Sequence, residues 1–119
     1  MKNVLICSIL ILFISCSEQK TLSPSETATT VLESLHSKDD SSLKKHTTED
    51  GFQSLQMIQG YIPTDTDATF SILNESIEGD TCWVQYNTSY DEKLGVLKLI
   101  KADGQWKVTN KGPRERGPF

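Results

Sequence analysis

Cys82 is the first residue whose type suggests chemistry, because a thiol becomes a nucleophile when a nearby base or positive charge lowers its pKa. It lies in Thr81-Cys82-Trp83-Val84-Gln85-Tyr86, in step with Val84 and Tyr86. That parity reads as a small residue buried on one face of a strand. His36 and His46 stand ten positions apart, without His-x-x-x-His spacing and without a neighbouring cysteine. A zinc site needs three or four convergent ligands, so both read as exposed residues at helix ends and no metal is expected. Glu49-Asp50 and Asp65-x-Asp67 lack the Asp-x-Asp-x-Asp-Gly ladder and the closing Glu of a calcium loop, and read as solvated surface. Glu75 is in step with Leu73 and Ile77, a spacing that allows it to point inward as a general base; a solvated edge position is the stronger reading. Tyr86 would suit a donor in a pocket, but a lone inward tyrosine is usually core. No set of these residues converges on a catalytic, cofactor or metal site.

The elements that must position these residues are readable from spacing. Ser23-Pro24-Ser25-Glu26 combines a capping serine, a proline at the first helical position and a glutamate three residues on, which opens a helix. Ala28, Val31, Leu32 and Leu35 then give it one apolar face. A short helix around Ser41–Thr47 is anchored by Leu43. A third, from Thr48 or Glu49 to Gln59, places Phe52, Leu55 and Ile58 on one side and closes at Gly60 as its cap. Beyond Pro63 the period falls to two. Strands are expected over Thr69–Ile77, Thr81–Ser89, Leu94–Lys101 and Trp106–Val108, with turns at Glu78-Gly79-Asp80, Tyr90-Asp91-Glu92 and Asp103-Gly104. Helices followed by an antiparallel meander of about four strands give an α+β fold with the helices on one sheet face. Trp83 falls opposite Cys82 and Val84, and the third strand carries apolar residues of both parities. Trp83, Val96 and Ile100 therefore form a candidate interaction face, covered by the tail, a second copy or a partner protein.

Composition divides the chain at Cys16. Of its 119 residues the first 16 hold 12 apolar ones, Lys2 is the only base before Cys16, and all 16 acids follow it. A net charge of −4 excludes a basic nucleic-acid binder. The apolar run Val4–Ile14 is too short for a membrane span, which needs about 20 residues, but it suits the core of a secretory signal. Leu12-Phe13-Ile14-Ser15-Cys16 resembles the lipobox of bacterial lipoproteins, with Phe13 where leucine is usual. The resemblance implies a thioether-linked diacylglyceryl group on Cys16, cleavage before it, and acylation of the new amino group. Acyl chains on Cys16 would then attach the protein to a membrane of the bacterial envelope. Ser17-Glu18 resembles the acidic export signals of some such lipoproteins, which favours the outer membrane or cell surface over the inner membrane. The expected organisation is a signal peptide over 1–15, lipidated Cys16 with a tether to 22, a folded domain over 23–110, and a flexible basic Pro/Gly tail over 111–119.

The segments Ser23–Thr27 with the Lys38-Asp39-Asp40 turn, Glu78–Val84, and Leu97–Val108 together resemble small bacterial lipoproteins with a cystatin-like, or nuclear-transport-factor-2-like, domain. That resemblance implies a curved sheet wrapped around the first helix as a cone. Isomerase-like members of the wider superfamily hold an acid inside the cone beside an oxyanion donor. The later strands supply no such acid, so the expected function is non-enzymatic: a lipid-anchored binding or protein-interaction module without a cofactor. The alternatives are a cone holding a small apolar ligand between the first helix and the sheet and, last, an isomerase- or hydratase-like enzyme. A large apolar cavity would favour the ligand cone; continuous packing from Leu35 and Phe52 to Leu99 and Trp106 would favour the interaction module.

Overall fold

The first helix, α1 (Pro24–Ser37), begins as its sequence dictates. Ser23 Oγ accepts the Glu26 N–H at 3.1 Å, and Glu26 Oε1 accepts the Ser23 N–H at 3.0 Å, so two of the orphaned donors at the helix start are satisfied reciprocally. It ends at Lys38, which turns the chain in the left-handed region at φ 59°. The computed structural model describes residues 21–62, 67–89 and 91–119, the side chains of 91–93 excepted. The segment expected to be a signal peptide, Cys16 and most of the expected tether, as well as Asp65 and the Tyr90 turn position, lie outside the described residues.

Helix α2 (Asp40–Lys45) is capped by Asp39, and its Leu43 is fully buried. Helix α3 (Glu49–Gln59) starts at Thr48, whose hydroxyl accepts the Gly51 N–H at 3.0 Å and donates to Thr109 Oγ1 at 2.9 Å. A Cβ on Gly51 would stand 2.5 Å from the Val108 carbonyl oxygen, so glycine permits this close approach of α3 to the last strand. Gly60 occupies the cap position expected of it but with φ −63° and ψ −22°. Its left-handed freedom is not used. The helix end is held differently: Lys38 Nζ donates to the Gln59 carbonyl at 3.3 Å, and Gln59 Nε2 donates to the Leu35 carbonyl at 3.2 Å, stitching the ends of α1 and α3 together.

The strands β1 (Phe70–Glu78), β2 (Thr81–Thr88), β3 (Asp91–Ala102) and β4 (Gln105–Thr109) form one antiparallel meander in sequence order. This is the expected α+β architecture. Asp103 and Gly104 both take positive φ, 54° and 76°, which suits the two-residue turn between β3 and β4. His46–Thr48 runs beside β4: Thr48 N–H donates to the Val108 carbonyl at 2.9 Å, and Val108 N–H donates to the His46 carbonyl at 3.0 Å. That segment closes the outer edge of the sheet. No helix among the described residues is long and apolar enough to cross a membrane.

The core lies between α1 and the inner sheet face. Ala28, Val31, Leu32 and Leu35 meet Cys82, Val84, Leu97, Leu99 and Val108, with Leu43 beneath them. Burying each Val or Leu of this cluster stabilises the fold by about 1.5–3 kcal/mol. On β1 the expected parity breaks. A bulge at Leu73 shifts the register between Ile72 and Asn74, so Ile72 pairs with Tyr86 while Glu75 pairs with Val84 and Ile77 with Cys82. Leu73 is therefore out of step with Glu75, although two positions separate them.

Candidate functional site

A cavity of about 260 Å³ opens between α1, α3 and the inner sheet face. Helix α1 contributes Val31, Leu32, Leu35 and His36, α3 contributes Leu55 and Ile58, and the sheet contributes Tyr86, Leu97 and Val108. The reason for the space lies in α3. Its apolar residues Phe52 and Leu55 are only half-buried, and Ile58 is 48% exposed, so this helix leans over the sheet without closing onto it. Tyr86 shapes the wall from below. Gly95 is its partner on β3, and a Cβ at Gly95 would overlap the phenol ring. The missing side chain lets the ring lie flat across the neighbouring strand.

His36 lines this cavity, and the expected exposed position for it is wrong. It is 3% exposed, because the last turn of α1 is covered by β1. Its Nδ1 lies 2.9 Å from the Leu32 carbonyl oxygen. A carbonyl only accepts, so Nδ1 carries a proton. The imidazole also tilts against Phe70, with ring centroids 4.9 Å apart. A residue at a helix end was expected to face solvent; the signal missed was Phe70, which β1 lays over that end. Ser54, Thr88, Thr109 and Asn110 add polar groups to the cavity lining, Lys98 and Lys111 add charged ones, and Val96 also lines it. No carboxylate lines it among the described residues.

The remaining candidates lie elsewhere. Cys82 is fully buried in the core outside the cavity, and its Sγ lies 3.8 Å from the Trp83 carbonyl oxygen. Burial, with Glu75 adding to it, pushes the Cys82 thiol up to about 11. It is a protonated core residue at neutral pH, as its strand parity suggested. Glu75 does turn to the helix side of β1, yet it stays exposed and accepts a hydrogen bond from the Ser25 hydroxyl at the start of α1. It stands away from the cavity. His46 is half-buried at the end of α2, and burial, then the charges of Lys45 and Lys107, hold it below the usual histidine range. Among the described residues no three His, Cys, Asp or Glu side chains group as metal ligands.

The outer face is covered from within the chain. Trp83 is 6% exposed, and Gly117 lies over it; a Cβ there would stand 2.9 Å from the indole. Glu115 pairs with Lys98 at 2.6 Å and accepts the Gly112 N–H at 2.8 Å. Lys98 Nζ in turn sits 5.7 Å from the centre of the Trp83 ring. Of the three residues read as an interaction face, Trp83 is thus under the 111–119 segment, while Val96 and Ile100 are half-buried. Glu115 and Gly117, within the segment expected to be a flexible end, lie against Lys98 and Trp83 on that face.

No protein-family profile and no curated protein matches the chain in sequence. Solved structures do match in fold. An NTF2-like protein of unknown function from Shewanella baltica superposes with TM-score 0.57 at 15% identity, over 71% of this chain and 84% of its own. One from Methylobacillus flagellatus gives TM-score 0.57 at 13% identity, over 72% and 83%. A third, from Silicibacter pomeroyi, gives 0.53 at 15%, over 71% and 86%. The helices and four-stranded sheet described above therefore form an NTF2-like cone.

Proposed function

We propose that this NTF2-like domain is a non-enzymatic binding module that holds a small, mainly apolar molecule in the cavity beneath α1. The observation that carries the reading is the cavity itself: about 260 Å³, walled by aliphatic side chains and Tyr86, with polar groups in part of its lining. An apolar cavity of about 150 Å³ is enough for benzene, so this one suits a molecule somewhat larger than a single ring. The ionisable side chains in the described lining are His36, Lys98 and Lys111. The protein-interaction reading rested on Trp83, Val96 and Ile100, and the cover over Trp83 supplies one of the three occupants considered for that face.

The same proposal places the domain on a bacterial envelope membrane, at the outer membrane or cell surface, through acyl chains on Cys16. Its support is the Leu12–Cys16 junction in the sequence. Two experiments test the two halves. Native mass spectrometry of the protein purified from envelope membranes should show a small bound molecule, and Leu55→Trp, which fills the cavity, should lose it while the far-ultraviolet spectrum is kept. Equal occupancy in the variant would end the ligand reading. Replacing Cys16 with Ala should abolish lipid labelling and release the chain from membranes; unchanged fractionation would end the anchor reading.

A further inference from the structure

The end of the fold where the chain arrives from Cys16 carries a concentration of positive charge in an otherwise acidic protein. A second, more open hollow of about 600 Å³ is lined there by Thr21, Leu22, Thr27, Lys45, His46 and Trp106. Lys101 sits with Nζ 5.8 Å from the centre of the Trp106 ring. Lys107 follows Trp106 in β4 and lies close enough to His46 to help depress its protonation. None of Lys45, Lys101 and Lys107 enters an ion pair among the described residues, where the single pair is Lys98–Glu115. Of the acids adjoining this region, Glu26 is already engaged by the Ser23 N–H, while Asp103 in the β3–β4 turn and Asp80, whose carbonyl oxygen accepts the Lys101 N–H at 2.8 Å, adjoin Lys101. Thr27 contributes a buried hydroxyl that has no hydrogen-bond partner among the described residues.

The sequence sets the distance between this end and the expected anchor. Thr21 follows Cys16 by five positions. Fully extended, that stretch reaches at most about 17 Å. Acyl chains on Cys16 would therefore hold Thr21 and its neighbours within about two Debye lengths of the headgroups at physiological salt. An anionic surface at that distance attracts free lysines, and an indole beside them suits the headgroup layer.

We propose that the surface formed by Lys45, Lys101, Lys107 and Trp106 docks on anionic lipid headgroups, so that the domain lies with its tether end against the membrane and the mouth of the α1–α3 cavity away from it. The docking surface rests on the anchor reading for its proximity to the membrane, and engages the phosphate of the lipid headgroup rather than a free phosphate ion. Lys38 marks the opposite end: α1 is 14 residues long, so about 20 Å of helix separates it from the tether.

The test is lysine modification read residue by residue in the full-length protein, purified from membranes and reconstituted into vesicles. On vesicles of phosphatidylcholine with roughly a third phosphatidylglycerol, Lys45, Lys101 and Lys107 should be modified about fivefold more slowly than in detergent, the factor expected for a lysine at an anionic surface. Lys38 should be unchanged. The protection should disappear on pure phosphatidylcholine and at high salt, and should not be reproduced in detergent by inorganic phosphate. Charge reversal with Lys45→Glu and Lys107→Glu should remove the protection of Lys101. Equal protection of Lys38 and Lys45, or none on anionic vesicles, overturns the docking surface. Protection by inorganic phosphate alone overturns it in favour of a small-anion site. The mass of the Cys16 peptide in the same spectra reads the anchor separately: an acylated chain with unprotected lysines ends the docking proposal alone, whereas an unmodified Cys16 ends the anchor reading and the lysine pattern still decides the surface.

Discussion

The two faces of the sheet bury apolar side chains by different means. The inner face is covered by three helices, and its residues Cys82, Val84 and Leu99 are fully buried among side chains from α1 and α2. The outer face is covered by a single strap, residues 111–119, held by one ion pair and by the contact of Gly117 with Trp83. The inner cover is cooperative, because removing one side chain leaves a void walled by neighbours that cannot all move. The outer cover is local: the strap can leave without opening the core. The same burial of a large apolar residue therefore carries different consequences on the two sides.

That contrast is sharpest at Leu99. Leu99→Ala removes a fully buried side chain facing Cys82 and Val108. It should cost about 2–5 kcal/mol in chemical denaturation, the largest effect expected of any single change discussed, because both partners sit on rigid strands. A loss below about 1 kcal/mol would mean that the inner face packs as loosely as the outer one. Next in size is Gly95→Ala. The added methyl drives the Tyr86 ring off the neighbouring strand and toward the cavity it lines. A stability loss of about 1–2 kcal/mol is expected, together with loss of the bound molecule in native mass spectra. Retained binding would show that the cavity volume does not depend on the flat Tyr86. On the outer face, Gly117→Ala should cost no more than about 1 kcal/mol: it strains a residue at φ 65° and pushes into the indole, but the strap has room to lift. The readout is a red-shifted Trp83 emission without a matching fall in melting temperature.

Most of the fold was legible because its signals are local and agree with one another. Ser23-Pro24-Ser25-Glu26, the Ala28–Leu35 stripe and the Asp103-Gly104 turn each specify a conformation within a few residues, and each forms as read. What was not legible depends on contacts far apart in the chain. The bulge at Leu73 reverses the parity of β1 without any glycine or proline to announce it. His36 is buried because Phe70, thirty-four positions away, lies against it. The cavity is a failure of α3 to close, and helical periodicity describes which side faces inward, not how near it comes. The apolar residues of both parities on β3 did signal a covered outer face; that Glu115 and Gly117 form the cover required the pairing with Lys98 and the φ of Gly117.

The smallest expected effect is also the cleanest probe of the strap. Hydrogen bonding to Lys98, then to the Gly112 N–H, holds the Glu115 carboxyl below its ordinary value of about 4.5. A lowered folded-state pKa means that the ionised form favours the docked strap. Its contribution is fully present above the ordinary carboxylate range and is lost as pH falls through the lowered value. Acidification should therefore lift the strap before the inner core opens. The core also loses stability as pH falls below the ordinary histidine range, because the lowered folded-state pKa of His46 disfavours its protonation, but it is held by many buried side chains rather than by one ion pair. Trp83 emission should shift to the red below the ordinary carboxylate range, reversibly and before the loss of far-ultraviolet signal. In Glu115→Gln the shift should be independent of pH over that interval and already partly present at neutrality, with a melting temperature close to that of the parent. A parent protein in which Trp83 emission and secondary structure change together on acidification would show that the two faces unfold as one unit, and the distinction between a cooperative and a local cover would fail.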